Sequence, residues 1–268
     1  MQPMINIALR AARDAGKLIE RALENIDQLD IENKSPNDFV TAVDRAAEAA
    51  ILDILKKAYP KHAFISEEAG QLGDIQNAEY VWLIDPLDGT TNFIRGIPHF
   101  AISIACLKNG VLEHGVIYDP IRREEFTASR GRGAQVNGRR LRTRINYDKD
   151  TALFGTGIPF GTRSEADMDA YLPVLKSLAL GSSGIRRAGA ASLDLAYVAA
   201  GRMDAFWEMG LQSWDMAAGA LMIMESGGLV SDFNGGNDYL NSGNIVCGSP
   251  RAFKAVLQLV KPALGDNV

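Results

Sequence analysis

Hydrophobic residues recur at helical spacing over residues 5–26, placing Ile5, Ala8, Leu9, Ala12, Ile19, Ala22, Leu23 and Ile26 on one face. A second helix is predicted from near Thr41 to about Ala58, with Ala47, Ala50, Ile51, Ile54 and Leu55 inward. Its opening, Thr41-x-x-Asp44, also reads as a capping box. The period then changes. Val81-Trp82-Leu83-Ile84 reads as a buried strand that delivers Asp85 at its carboxyl end. His99–Leu107 and Val111–Tyr118 are strand-like runs joined through Asn109-Gly110, a strong hairpin signal. A strand around Glu124–Ser129 and a turn at Val136-Asn137-Gly138 extend this antiparallel region.

The second half alternates strands and helices. Strands are expected near Ala152–Gly155, Ile185–Arg187, Met203–Glu208, Leu229–Phe233 and Ile245–Gly248. Helices are expected at about 165–179 and 191–200, over Trp214–Ser226 with Gly227-Gly228 as its stop, and over Pro250–Val260. Antiparallel strands with intervening helices point to a layered α/β or α+β domain.

Composition narrows the class without choosing a function. The 268 residues, 47% hydrophobic and 23% charged, are enough for a sizeable core without staples. A net charge of −5 argues against nonspecific nucleic-acid binding over the whole surface. The doublets Arg122-Arg123, Arg139-Arg140 and Arg186-Arg187 read first as solvated charges. Cys106 and Cys247 sit in apolar runs without metal-type spacing, as buried free thiols do. There is no apolar stretch of about 18 residues and no signal-type segment at the start, so a soluble, cytoplasmic protein is expected.

Candidate chemistry concentrates in WLIDPLDGTTNF, residues 82–93. Asp85 and Asp88 leave a strand, and Gly89-Thr90-Thr91 follows where the chain is expected to turn helical. One stretch thus offers hard oxygen ligands beside free backbone N–H groups for an anion. Metal-assisted phosphoryl transfer needs both, and oxygen-only ligation favours Mg2+ or Mn2+ over Zn2+. Taken alone, D-P-x-D-G is equally an ordinary turn and cap. An EF-hand is excluded by Leu87 and Gly96 at ligand positions, and no phosphate-binding G-x-x-x-x-G-K-[ST] occurs. An aspartyl-phosphate route would place its two acids two residues apart, not three. Glu67-Glu68 after Ala63-Phe64-Ile65, and Asp215 at the start of an Ala/Gly-rich helix, are further acids that singly read as surface or helix-end charges. The histidines at 62, 99 and 114 read as structural or surface residues.

In combination the order Glu67-Glu68, Asp85-Pro-Leu-Asp88-Gly-Thr-Thr-Asn-Phe and Trp214-Asp215-Met-Ala-Ala-Gly resembles the inositol monophosphatase family, in its bacterial, extragenic-suppressor branch. The likeness spans nearly the whole chain, from Asp38–Asp44 through Arg187–Ala191 to Gly227-Gly228. It implies an α+β fold, a layered αβαβα sandwich of the inositol monophosphatase and fructose-1,6-bisphosphatase type. It also implies one domain over 1–268, with a lobe of about 1–145 carrying the metal motifs and one of about 146–268 completing the site. The implied activity is Mg2+-dependent hydrolysis of small phosphate monoesters, often Li+-sensitive, in a homodimer.

Residue by residue, the likeness assigns Glu67, Asp85 and the Leu87 carbonyl to one metal, and Asp85, Asp88 and Asp215 to a second. A third ion is implied at Glu67, through water. Thr90 with Asp44 would orient the attacking water, and the Gly89–Thr90 backbone would bind phosphate. Gly189, Ala190, Ala191 and Glu208 would contact substrate hydroxyls, with Ala190 standing where many relatives carry a hydroxyl. The expected substrate is myo-inositol 1-phosphate, with other sugar, polyol or nucleotide phosphates as alternatives. The bacterial branch further implies contact with RNA polymerase or an antitermination complex.

Overall fold

A computed structural model describes residues 2–25, 31–35, 38–159 and 165–265, with the side chains of 31–35 and 38–41 left aside. Ile26 and the Thr41 side chain therefore lie outside the described residues. The chain begins with α1 (Pro3–Leu23), β1 (Ile31–Ser35), β2 (Asp38–Thr41) and α2 (Ala42–Ala58). Next come β3 (Ala63–Ser66), β4 (Gly70–Leu72), β5 (Tyr80–Asp88) and the short α3 (Thr90–Ile94). A meander follows: β6 (Ala101–Lys108), β7 (Val111–Asp119), β8 (Glu124–Ser129), β9 (Gly133–Val136) and β10 (Arg139–Arg140). The second half contains β11 (Leu153–Thr156), α4 (Glu165–Leu180), β12 (Gly184–Arg186), α5 (Ala191–Ala199), β13 (Ala205–Glu208) and α6 (Ser213–Glu225). It closes with β14 (Leu229–Ser231), α7 (Tyr239–Ser242), β15 (Ile245–Gly248) and α8 (Pro250–Leu264).

Two large sheets organise these elements. One has eight strands in the order β10-β9-β8-β7-β6-β5-β3-β4, the other five in the order β12-β11-β13-β15-β14. The helices make three layers around them. Helices α1 and α2 bury Ile5, Leu9, Ile51 and Leu55 against Trp82, Ile84, Ile102 and Val116. Helices α5 and α6 fill the space between the sheets, packing Leu193, Leu195, Leu221 and Ile223 against Phe126, Phe206 and Cys247. Helices α4 and α8 cover the outer face of the smaller sheet through Tyr171, Val174, Val256 and Val260. The result is the expected αβαβα layering, an α+β fold. Each fully buried Ile, Leu or Phe contributes roughly 1.5–3 kcal/mol.

Periodicity explains the layering. Helix α1 is apolar on one stripe only and lies on one sheet face, whereas α5 and α6 are apolar nearly all round and lie between two sheets. The Asn109-Gly110 hairpin forms with both residues at positive φ, 50° and 76°, as a two-residue turn matched to strand twist requires. Both cysteines are buried and free. His99 falls just before β6 rather than within it, and Met203 just before β13.

Candidate active site

Strands β3 and β5 run parallel with Ser66 opposite Ile84, so their carboxyl ends emerge side by side. The Glu67 amide donates to the Ile84 carbonyl at 3.1 Å, which continues the ladder and sets Glu67 beside Asp85. Two acids eighteen residues apart in sequence thereby become neighbours. Glu67 is held from behind by α2. There the buried Glu48 accepts hydrogen bonds from the Ser66 hydroxyl and from the Glu68 and Ala69 amides, the last two at 2.9 and 3.2 Å.

Asp85 and Asp88 pose a geometric question, because residues three apart on a regular strand face opposite ways. A bulge resolves it. Asp85 pairs with Ser103 and Asp88 with Ala101, so three steps on β5 oppose two on β6. Pro86, which lacks an N–H, sits inside the bulge where no ladder bond is forfeited. Gly89 then takes φ +93° as the N-cap of α3. A Cβ there would stand 3.0 Å from the His99 carbonyl and 3.2 Å from the Ala190 methyl, so only glycine lets the 188–190 loop close over this corner.

Asp215 arrives from the C-terminal half. It stands at the third position of α6 and accepts from the Gln212 amide at 2.8 Å, closing a capping box. The Ser103 hydroxyl donates to the Trp214 carbonyl at 2.9 Å, pinning this helix start beside Asp85. Asp88 is gripped from α5, where the Ser192 amide and hydroxyl donate to its Oδ2 at 2.7 and 2.5 Å. The Thr90 hydroxyl lies 3.1 Å from Asp44 Oδ1 and 3.0 Å from the Leu87 carbonyl.

Glu67, Asp85, Leu87, Asp88, Gly89, Thr90 and Asp215 line one cavity of about 410 Å³. Gly189, Ala190, Ala191 and Glu208 form part of its wall, and Asp44 reaches it through Thr90. Reading the sequence did not single out Glu48, Asn92, Thr156, Gly157, Ser192 or Leu211. Asn92 Nδ2 donates to the His99 and Ala188 carbonyls at 2.7 and 2.8 Å, tying α3 to the 188–190 loop. Gly157 makes room for Glu208, whose carboxylate occupies the space a Cβ would take. An Asp44–Glu48 pair on one helix face was the available signal for Glu48; the others carried none. Arg187 also lines the cavity, which gives one half of the Arg186-Arg187 doublet a place at the site.

The electrostatics are those of crowded acids. Burial raises Asp85 well above the usual carboxylate range, and the charges of Glu67, Asp88 and Asp215 push it further. Burial likewise raises Asp215, with Asp88 adding to it. Asp88 is pushed by burial to about 6, and the Ser192 hydrogen bonds hold it from going higher. Glu208 rises to about 8, from burial and then the Asp88 charge, against the pull of Arg187.

As they stand, no three His, Cys, Asp or Glu side chains among the described residues are gathered in ligating geometry. Asp85, Asp88 and Asp215 are instead turned to the Leu87, Ser192 and Gln212 amides. The donor set nevertheless fits a hard divalent cation. It is oxygen throughout, and it consists of mutually repelling carboxylates whose raised pKa values a cation would relieve.

The family model for the inositol monophosphatase family matches residues 1–263. The chain belongs to the inositol monophosphatase family. Among its relatives is a Pseudomonas aeruginosa protein named Nus factor SuhB, 58% identical, with the alignment covering 100% of this chain and 99% of that one. The extragenic suppressor protein SuhB of Bartonella henselae is 42% identical and superimposes with a TM-score of 0.93, over 98% of this chain and all of that one. The inositol monophosphatase of Anabaena (Nostoc) is 34% identical, with a TM-score of 0.82 over 98% of each chain. Membership also settles the fold, and the SuhB relatives place this inositol monophosphatase homologue in the extragenic-suppressor branch. No helix among the described residues is long and apolar enough to cross a membrane.

Proposed function

We propose that this chain hydrolyses small phosphate monoesters with Mg2+, myo-inositol 1-phosphate foremost, and that it works as a cytoplasmic homodimer. The observation that carries the proposal is the convergence of Glu67, Asp85, Asp88 and Asp215, from two parallel strand ends and a distant helix start, on one cavity. Inositol monophosphatases as a family are generally Mg2+-dependent, and two or three ions are proposed here, with Mn2+ as a substitute. Glu67, Asp85, Asp88, Asp215 and the Leu87 carbonyl would hold them. When bound, they supply charge neutralisation for the phosphate and acidify a water.

The rest falls to the protein. In donating its hydroxyl proton to Asp44, Thr90 leaves its oxygen lone pairs free to accept from the attacking water and orient it. The Gly89 and Thr90 amides supply donors for the charge that grows on phosphate in the transition state. Glu208 and the 189–191 backbone would hold the polyol hydroxyls. Ala190 is buried and offers no hydroxyl, so contacts at that position come from backbone alone. The test is phosphate release from inositol 1-phosphate beside sugar, polyol and nucleotide phosphates, ranked by kcat/KM. Mg2+ dependence and loss of turnover in Asp88→Asn support the reading. Full activity after chelation would sink it.

A second reading is favoured by the name Nus factor carried by the Pseudomonas relative. In this reading the chain also contacts RNA polymerase or an antitermination complex. Complementation separates the roles: full rescue of a deletion by a folded Asp88→Asn chain makes binding the physiological task, and failure to rescue makes it catalysis.

A further inference from the structure

A second cavity, of about 330 Å³, opens where the N-terminus of α1 meets β8 and β9, and it shares no residue with the acidic site. Strand alternation explains its polarity. Phe126 and Ala128 of β8 belong to the core beneath α6, so Glu125, Thr127 and Ser129 project on the α1 side. Arg13 of α1 registers this face, donating from Nε and Nη2 to Glu125 at 2.6 and 2.7 Å. Towards the start of α1 the sheet presents Thr127 and Ser129, with Gln135 of β9 beside them.

Three observations make the cavity a ligand site and not merely a gap. First, Thr127 is only 6% exposed, and its hydroxyl has no hydrogen-bond partner among the described residues although it lines the cavity. Second, α1 starts without a cap: Gln2 makes no side-chain cap bond, and the first turn holds no acid. The Met4 and Ile5 amides therefore keep free N–H groups at the positive end of a 21-residue helix. Third, no Asp or Glu lines the cavity, while Arg132 stands at it with no ion pair among the described residues.

Neighbouring groups are otherwise engaged. Ser129 Oγ is 2.9 Å from His114 Nδ1, and the Gly133 amide is taken by Glu225 at 2.7 Å. What remains is a set of donors in want of an acceptor: a guanidinium, an unpaired hydroxyl and helix-end amides. The volume suits a small molecule. We propose that this cavity binds a small oxyanion, a phosphate or carboxylate group on a compact polar molecule, held by Arg132, Thr127 and the first amides of α1.

The test uses the full chain in EDTA, with amide NMR spectra recorded during titration with sodium phosphate and, separately, sodium succinate, at matched sodium chloride. Saturable shifts are expected at Met4, Ile5, Thr127 and Arg132, with affinity at least tenfold weaker in Arg132→Ala/Thr127→Val. That double variant removes an exposed charged side chain and, at nearly constant shape, the Thr127 hydroxyl, and its Mg2+-dependent turnover should match the parent. Asp88→Asn should keep the shifts, which separates this site from the acidic one. Saturation by phosphate alone or by succinate alone supports the site and names its oxyanion. Saturation by neither, shifts confined to the Glu67–Asp88 cavity, or equal affinity in the double variant overturns it.

Discussion

Ser192 grips Asp88 twice, through its amide at 2.7 Å and its hydroxyl at 2.5 Å, both on Oδ2. The hydroxyl favours the charged carboxylate, so its loss lets the Asp88 pKa climb from about 6. A hydrogen bond to a charged group is worth about 1.5–3 kcal/mol, equivalent to roughly one to two pKa units. Ser192→Ala should therefore weaken Mg2+ binding by about tenfold at pH 6.5. Near pH 8.5, where Asp88 is ionised either way, the difference should largely vanish. Mg2+ calorimetry at the two pH values checks this, and equal weakening at both would contradict it.

Glu48 fixes the turn that presents Glu67, through the Ser66 hydroxyl and the Glu68 and Ala69 amides. Glu48→Ala leaves those donors without their buried acceptor, at a cost of about 1–3 kcal/mol. The expected result is a lower melting temperature together with a higher Mg2+ requirement for turnover. Glu48→Gln retains an acceptor oxygen and should recover much of both.

Glu208 carries a pH dependence of stability. Its folded pKa, about 8, lies above the ordinary 4.5. The protonated form is thus favoured by folding, its contribution is complete below about pH 4.5, and it is lost as pH rises through 8. Asp85 and Asp215 are raised too and act in the same direction. In EDTA the melting temperature should decline from pH 5 to pH 8.5, and Glu208→Gln should flatten part of that slope. Mg2+ should restore stability most strongly at the alkaline end, because ligation favours the ionised acids.

Gly89 joins left-handed backbone to a close approach from the 188–190 loop. Gly89→Ala should cost on the order of 1–3 kcal/mol from the positive φ alone. Because the methyl also meets Ala190 and the His99 carbonyl, KM for a polyol phosphate should rise as the wall is displaced. Denaturant melts and steady-state kinetics measure the two effects separately.

Much was legible in the chain because the signals are local. The stripe of α1, the Asn109-Gly110 hairpin and the acid-rich segment 82–93 need only neighbouring residues to be read. The acids at 67, 85, 88 and 215 were legible as a set through the family likeness, but spacing alone fits Asp85-Pro86-Leu87-Asp88 equally to a turn. The pair Asp85 and Asp88 faces one cavity only because of a bulge against β6, and a bulge is a property of two paired strands.

Sequence by itself thus determined the periodicities, the layered fold class and the supply of hard oxygen donors. Tertiary structure decided which of them meet. Parallel pairing of β3 and β5 brings Glu67 to Asp85, Ser103 anchors the start of α6 there, and Ser192, 104 residues along the chain, clasps Asp88. The reason is physical: side-chain identity sets what a group can bind, but charge repulsion, desolvation and hydrogen-bond geometry arise between residues that only folding makes neighbours.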